Sequence, residues 1–104
     1  KDRALYNKVI KVQQACIKKV APGVKLKELT AYAKKRLGKQ FIHGIGHGVG
    51  VEIHEPVDKL KKGMVVTIEP GVYGQDRGIR IEDTVLVAGG AEVLTASSRE
   101  LFVL

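Results

Sequence analysis

Every histidine of the chain, His43, His47 and His54, lies in one twelve-residue stretch, His43-Gly-Ile-Gly-His47-Gly-Val-Gly-Val-Glu-Ile-His54. Imidazoles titrate near neutral pH and bind transition metals, so three of them among alternating glycines point to a site and not to scattered structural histidines. Two acids complement them. Glu69 ends the apolar run Met64-Val-Val-Thr-Ile just before Pro70-Gly71, and Glu82 lies in Gly78-Ile-Arg80-Ile-Glu82-Asp83-Thr. Taken singly, each acid reads as a strand-end carboxylate in water or in an ion pair. Together with the imidazoles they make a donor set suited to Mn²⁺, Co²⁺, Fe²⁺ or Zn²⁺. Carboxylates commonly bridge two cations about 3.5–4 Å apart, an arrangement that acidifies water and polarises a carbonyl. The chemistry implied is metal-assisted hydrolysis, with His43 and His54 free to handle substrate and the developing oxyanion.

These groups need elements to hold them. His43 and His47 have the i, i+4 spacing of helical metal motifs, but a helix through the alternating glycines would cost about 1 kcal/mol at each one. The segment therefore reads as loop or strand, and the alternation of Val49, Val51 and Ile53 with Gly50, Glu52 and His54 puts His54 on the face opposite the apolar one. Strands are expected at Met64–Ile68, Ile79–Val87, Glu92–Thr95 and Leu101–Leu104, with Arg80 and Glu82 on one face and Ile79, Ile81 and Asp83 on the other. Loops are expected at Pro56–Gly63 and Pro70–Gly78, and Gly89-Gly90 reads as a hairpin turn. Upstream, Leu5, Val9, Val12, Cys16 and Val20 recur at helical intervals, widened by Tyr6, Ile10 and Ile17, and Pro22-Gly23 ends that helix. Leu26, Leu29, Ala33 and Leu37 mark a second helix, with Lys25 where a capping Ser or Thr is usual and Gly38 as its stop. Two helices followed by a mostly antiparallel sheet make an α+β fold.

A chain of 104 residues supports one domain. Its 18 Lys+Arg and 11 Asp+Glu are unevenly spread: residues 1–40 carry 12 and 2, a net of +10. Because those cations alternate with the apolar stripe, they read as a solvated helix face, and the 5% aromatic content without Trp argues against a stacking surface for nucleic acid. No nucleic-acid partner is expected. No run reaches the roughly 18 apolar residues of a bilayer span, so no membrane is expected either, and a single cysteine, Cys16, fits a reducing compartment, the cytoplasm.

The motifs His43-Gly-Ile-Gly-His47-x-x-Gly-x-x-x-His54-Glu55, Gly63-Met64-Val-x-Thr-Ile-Glu69-Pro70-Gly71 and Gly78-Ile-Arg80-Ile-Glu82-Asp83-Thr span nearly the whole chain. In that order and spacing they resemble the C-terminal part of the pita-bread metallopeptidases. The Arg-Ile-Glu-Asp form resembles the Xaa-Pro dipeptidase (prolidase) and Xaa-Pro aminopeptidase branch, with a methionine-aminopeptidase-like enzyme as the alternative. The resemblance implies two helices on a curved, mostly antiparallel sheet and a centre of two divalent metal ions. It makes His47, Glu69 and Glu82 metal ligands, Glu69 also the shuttle for the water proton, and His54 the group that stabilises the tetrahedral intermediate. It places His43 in the substrate pocket with His54, Arg80 behind a ligand carboxylate, and a proline-containing peptide as substrate. A second copy of the chain is a further partner that the resemblance allows.

The family also takes two aspartates from an Asp…Asp-x-Thr-Arg pattern that should precede the first helix, and none of Asp2, Asp58, Asp76 or Asp83 replaces them. The expectation is that residues 1–104 are the C-terminal portion of one catalytic domain, the upstream half with its two aspartates lying outside them. Alone, the chain should bind divalent metal weakly and lack peptidase activity. A metal-free binding module of the same fold is the competing reading.

Overall fold

The structure is a computed structural model that describes residues 2–49, 59–74, 77–95 and 98–103, with Asp2, Arg77 and 98–103 as backbone. Two helices come first, α1 (Asp2–Lys19) and α2 (Leu26–Leu37), then a 3-10 turn at Gly38–Gln40. Five strands follow: β1 (Val65–Ile68), β2 (Gly71–Tyr73), β3 (Arg77–Val87), β4 (Ala91–Val93) and β5 (Ser98–Val103).

The helices form where the apolar spacing demands them. Val9, Val12 and Cys16 on α1, Val20 just past its end, and Leu26, Leu29, Ala33 and Leu37 on α2 are buried, while Lys8, Lys11, Lys18 and Lys19 face outward. Burial of such a stripe, and not local propensity, holds helices of this length together. Lys25 precedes α2 with no side-chain cap, and Gly38 ends it at φ 77°, its N–H donating to the Lys34 carbonyl. That left-handed φ is one a glycine adopts without strain.

All described strand pairings are antiparallel, and β3 is the strand every other one uses. On one side it pairs Ile68 with Asp83 through β1 and Gly71 with Arg80 through β2. The register is the same in both, carried across Pro70 by the Ile81 N–H, which donates to the Pro70 carbonyl at 3.2 Å. On the other side of β3 lie β4 and β5. The odd-numbered residues Ile79, Ile81, Asp83, Val85 and Val87 are buried beneath the helices, while Arg80, Glu82, Thr84 and Leu86 occupy the opposite face, half-buried. Asp83 is held there by the Gln13 Nε2 of α1 at 2.9 Å and the Thr95 hydroxyl at 3.2 Å.

Two expectations need correction. Residues 70–78 are not one loop, because Gly71–Tyr73 and the start of β3 pair directly. A three-residue strand between Pro70 and Gly74 is too short for alternation to reveal, and its main-chain bonds come from a distant partner. The last two strands run over Ala91–Val93 and Ser98–Val103, displaced from Glu92–Thr95 and Leu101–Leu104. The Gly89-Gly90 turn between β3 and β4 stands, closed by the Ala88 N–H donating to the Gly90 carbonyl at 2.7 Å. Among the described residues no helix is long and apolar enough to cross a membrane.

Candidate functional site

The His-Gly segment lies along the free side of β1 as an irregular strand. The Glu69 N–H donates to the Ile45 carbonyl at 2.6 Å, the Thr67 N–H to that of His47 at 2.8 Å, and the Val49 N–H to that of Val65 at 2.8 Å. Gly46 explains part of the glycine content: a Cβ there would stand 1.7 Å from the Thr67 carbonyl oxygen, so the two backbones approach as no other residue permits. This pairing puts His47 on the sheet face that carries Thr67 and Glu69. His47 Nε2 and Glu69 Oε2 are 3.7 Å apart, the imidazole 67% exposed and the carboxylate 18%.

His47 Nδ1 lies 2.9 Å from the Gly48 carbonyl, which can only accept, so Nδ1 carries the proton. In the neutral ring Nε2 then presents its lone pair toward Glu69. A ring nitrogen tied to a backbone carbonyl with the other left open is the arrangement metal-binding histidines use.

Glu82 enters through the sheet. The register shared by β1 and β2 sets Glu69 opposite Glu82. Because the Glu69 N–H turns away to Ile45, the two acids form a non-hydrogen-bonded pair, in which opposed side chains sit closest, about 4.5–5.5 Å between Cβ atoms. Like charges so placed repel unless a cation lies between them. The donors therefore suit a divalent ion: an oriented imidazole nitrogen and two opposed carboxylates. Among the described residues, however, no three His, Cys, Asp or Glu side chains are gathered closely enough to enclose one. His47 and Glu69 are in contact, and Glu82 stands across from them in register.

Arg80 shares the face of Glu82 and lies in register with Glu100 of β5, an acid the sequence reading did not single out. His43 is 2.7 Å from Tyr73 through Nε2 and 2.7 Å from the Gly44 carbonyl through Nδ1. The carbonyl fixes the proton on Nδ1, so Nε2 accepts from the Tyr73 hydroxyl. Phe41 packs edge-on against the same ring, centroids 4.9 Å apart. Tyr73 was missed because it lies in the stretch read as loop; the strand pairing of Gly71–Tyr73 alone brings it to His43. His54 lies outside the described residues.

An imidazole and paired acids on one face of a helix-backed sheet are the elements of a metal-dependent hydrolase, and residues 1–89 match the model of metallopeptidase family M24. The chain belongs to that family. An Xaa-Pro dipeptidase from Pyrococcus furiosus is 44% identical across 97% of this chain. The prolidase structure from the same organism superposes with a TM-score of 0.79 at 42% identity, covering 93% of this chain and 33% of its own. The structure of an X-Pro aminopeptidase from Thermotoga maritima gives 0.79 at 34% identity, covering 97% of this chain and 32% of its own. The two helices and antiparallel sheet are thus those of a pita-bread fold, and the chain spans 33% of the length of the curated dipeptidase it matches.

Proposed function

We propose that this chain is the C-terminal portion of the catalytic domain of a dinuclear-metal peptidase that cleaves Xaa-Pro bonds, as its prolidase relatives are named for doing. The observation that carries the reading is the His47–Glu69 contact at 3.7 Å with Glu82 opposite in register. Two divalent ions (Mn²⁺, Co²⁺, Fe²⁺ or Zn²⁺), when bound, supply Lewis acidity at the scissile carbonyl and at a water. His47, Glu69 and Glu82 would hold them, together with two aspartates from an upstream half of the domain. Glu69 accepts the proton of the attacking water and passes it toward the leaving amine. His54 hydrogen-bonds the oxyanion, and His43, steadied by Tyr73, lines the pocket for a proline-containing peptide. Arg80 balances the paired acids from two residues along β3. The enzyme works in the cytoplasm.

The test is a hydrolysis assay with Gly-Pro and added Mn²⁺ or Co²⁺. The chain alone should show no turnover. Substituted for the matching third of the Pyrococcus furiosus prolidase it should support turnover, and Glu82→Gln in that chimera should lower the rate by roughly a thousandfold or more, about 4 kcal/mol. A Glu82→Gln chimera that keeps its rate removes Glu82 from the metal centre. Ordinary turnover by the chain alone removes the need for the upstream half.

A further inference from the structure

Opposed residues of an antiparallel pair alternate between positions that exchange two main-chain bonds and positions that exchange none, and the Thr67 N–H bond to the His47 carbonyl marks these two as the first kind. Their second bond departs from this. The Thr67 N–H donates to the His47 carbonyl at 2.8 Å, but the His47 N–H donates to the Thr67 hydroxyl, Oγ1, at 3.0 Å. The hydroxyl spends its own proton back on the His47 carbonyl at 3.4 Å. Meanwhile the Thr67 carbonyl oxygen, which would ordinarily take the His47 N–H, is turned against Gly46. Thr67, only 3% exposed, therefore makes three bonds to the main chain of His47, and the side chain stands in for a rung of the ladder.

We propose that Thr67 is a positioning residue whose hydroxyl, inserted into the ladder, sets the backbone of His47 so that Nε2 faces Glu69 and Nδ1–H reaches the Gly48 carbonyl. A main-chain rung in its place would require the Thr67 carbonyl to swing away from Gly46 toward the His47 N–H, and the imidazole would turn with the peptide. Valine has nearly the shape of threonine but no hydroxyl, so Thr67→Val removes the bond while keeping the β-branched fit. Serine keeps the hydroxyl. The metal-binding side of this inference rests on the proposed function, whereas the orientation of the ring does not.

The experiment reads the ring nitrogens of His47 by ¹⁵N NMR in the metal-free protein at pH 8. His43 serves as internal control, because its Nδ1–H bond to Gly44 does not run through Thr67. Wild type and Thr67→Ser should show His47 as the Nδ1–H tautomer; Thr67→Val should lose that preference while His43 stays unchanged. Cobalt titration of the same proteins should show affinity about tenfold or more weaker for Thr67→Val and within about twofold of wild type for Thr67→Ser. A folded Thr67→Val with an unchanged His47 tautomer overturns the proposal, as does a Thr67→Ser that behaves like Thr67→Val. Should Thr67→Val not fold, Thr67→Ser decides alone: the wild-type tautomer supports the proposal and its loss ends it. Failure of the chimera to cleave Gly-Pro would sink the peptidase reading and leave the tautomer contrast standing; loss of the contrast in a chimera that cleaves would do the reverse.

Discussion

The two faces of β3 are built by different means. The helix-side face, from Ile79 to Val87, is closed by volume: its aliphatic residues are 5% exposed or less, and its one acid, Asp83, is answered by Gln13 and Thr95. The opposite face, with Arg80, Glu82 and Thr84, is half open, and what lies along it is placed by directed bonds, with little packing to help. His47 is set by main-chain bonds and a threonine hydroxyl, His43 by a carbonyl and a phenol. Removing atoms from the first face should therefore cost stability without disturbing the histidines, and removing single bonds from the second should disturb the histidines at little cost in stability.

The largest stability effect should come from the helix side. Leu29→Ala, at a residue 2% exposed, is expected to lower unfolding free energy by about 2–5 kcal/mol in denaturant titration and to leave the His47 tautomer unchanged. A disturbed His47 ring would mean the faces are not independent. Next comes Cys16, whose thiol burial pushes from 9.0 up to about 11, against the opposing pull of Lys19 and Arg36. Between those values the folded chain keeps a proton that the unfolded chain releases. Its contribution is thus full below pH 9 and falls by roughly 2–3 kcal/mol as the pH rises through 11. Urea midpoints of wild type and Cys16→Ala should diverge over that window; parallel curves would show that the thiol is not the source.

On the open face, Gly46→Ala forces a Cβ onto a backbone oxygen that no side-chain rotation can relieve. The expected loss is about 1–3 kcal/mol, with hydrogen-exchange protection falling at the Thr67 and Glu69 amides and persisting in α1. Protection retained at Thr67 and Glu69 would contradict the close approach. The smallest effect belongs to Tyr73→Phe, about 0.5–1.5 kcal/mol by thermal unfolding, read more sharply as a changed His43 ring signal. An unchanged signal would show that Phe41 alone holds the ring.

The same division explains what could be read from the residues. Periodicity reports burial against a neighbour: helical spacing predicted α2 at Leu26–Leu37 and the buried stripe of α1, and two-residue alternation predicted the buried row of β3. Gln13 broke that logic, a polar side chain 2% exposed whose reason, Asp83, lies seventy residues away. Glu69, Glu82, His43 and His47 were identifiable as donors from type and spacing, but not the contacts among them, which depend on a register shared across Pro70 and on the irregular pairing of a glycine segment with β1. Thr67 and Tyr73 carried no signal of their own: a threonine in a β-rich run and a tyrosine beside a Pro-Gly pair are commonplace, and only the third dimension gives them work.

The central place of β3 has a consequence for the order in which the chain becomes organised. Synthesis delivers β1 and β2 before the strand to which both are hydrogen-bonded. Until Arg77–Val87 has emerged, the two helices can collapse on each other and the His-Gly segment can pair with β1, but every pairing made with β3 must wait. A nascent chain halted before residue 77 presents bare strand backbone and apolar residues such as Val66, Ile68 and Val72 to its surroundings, which makes that stage the one most exposed to misassociation on the ribosome.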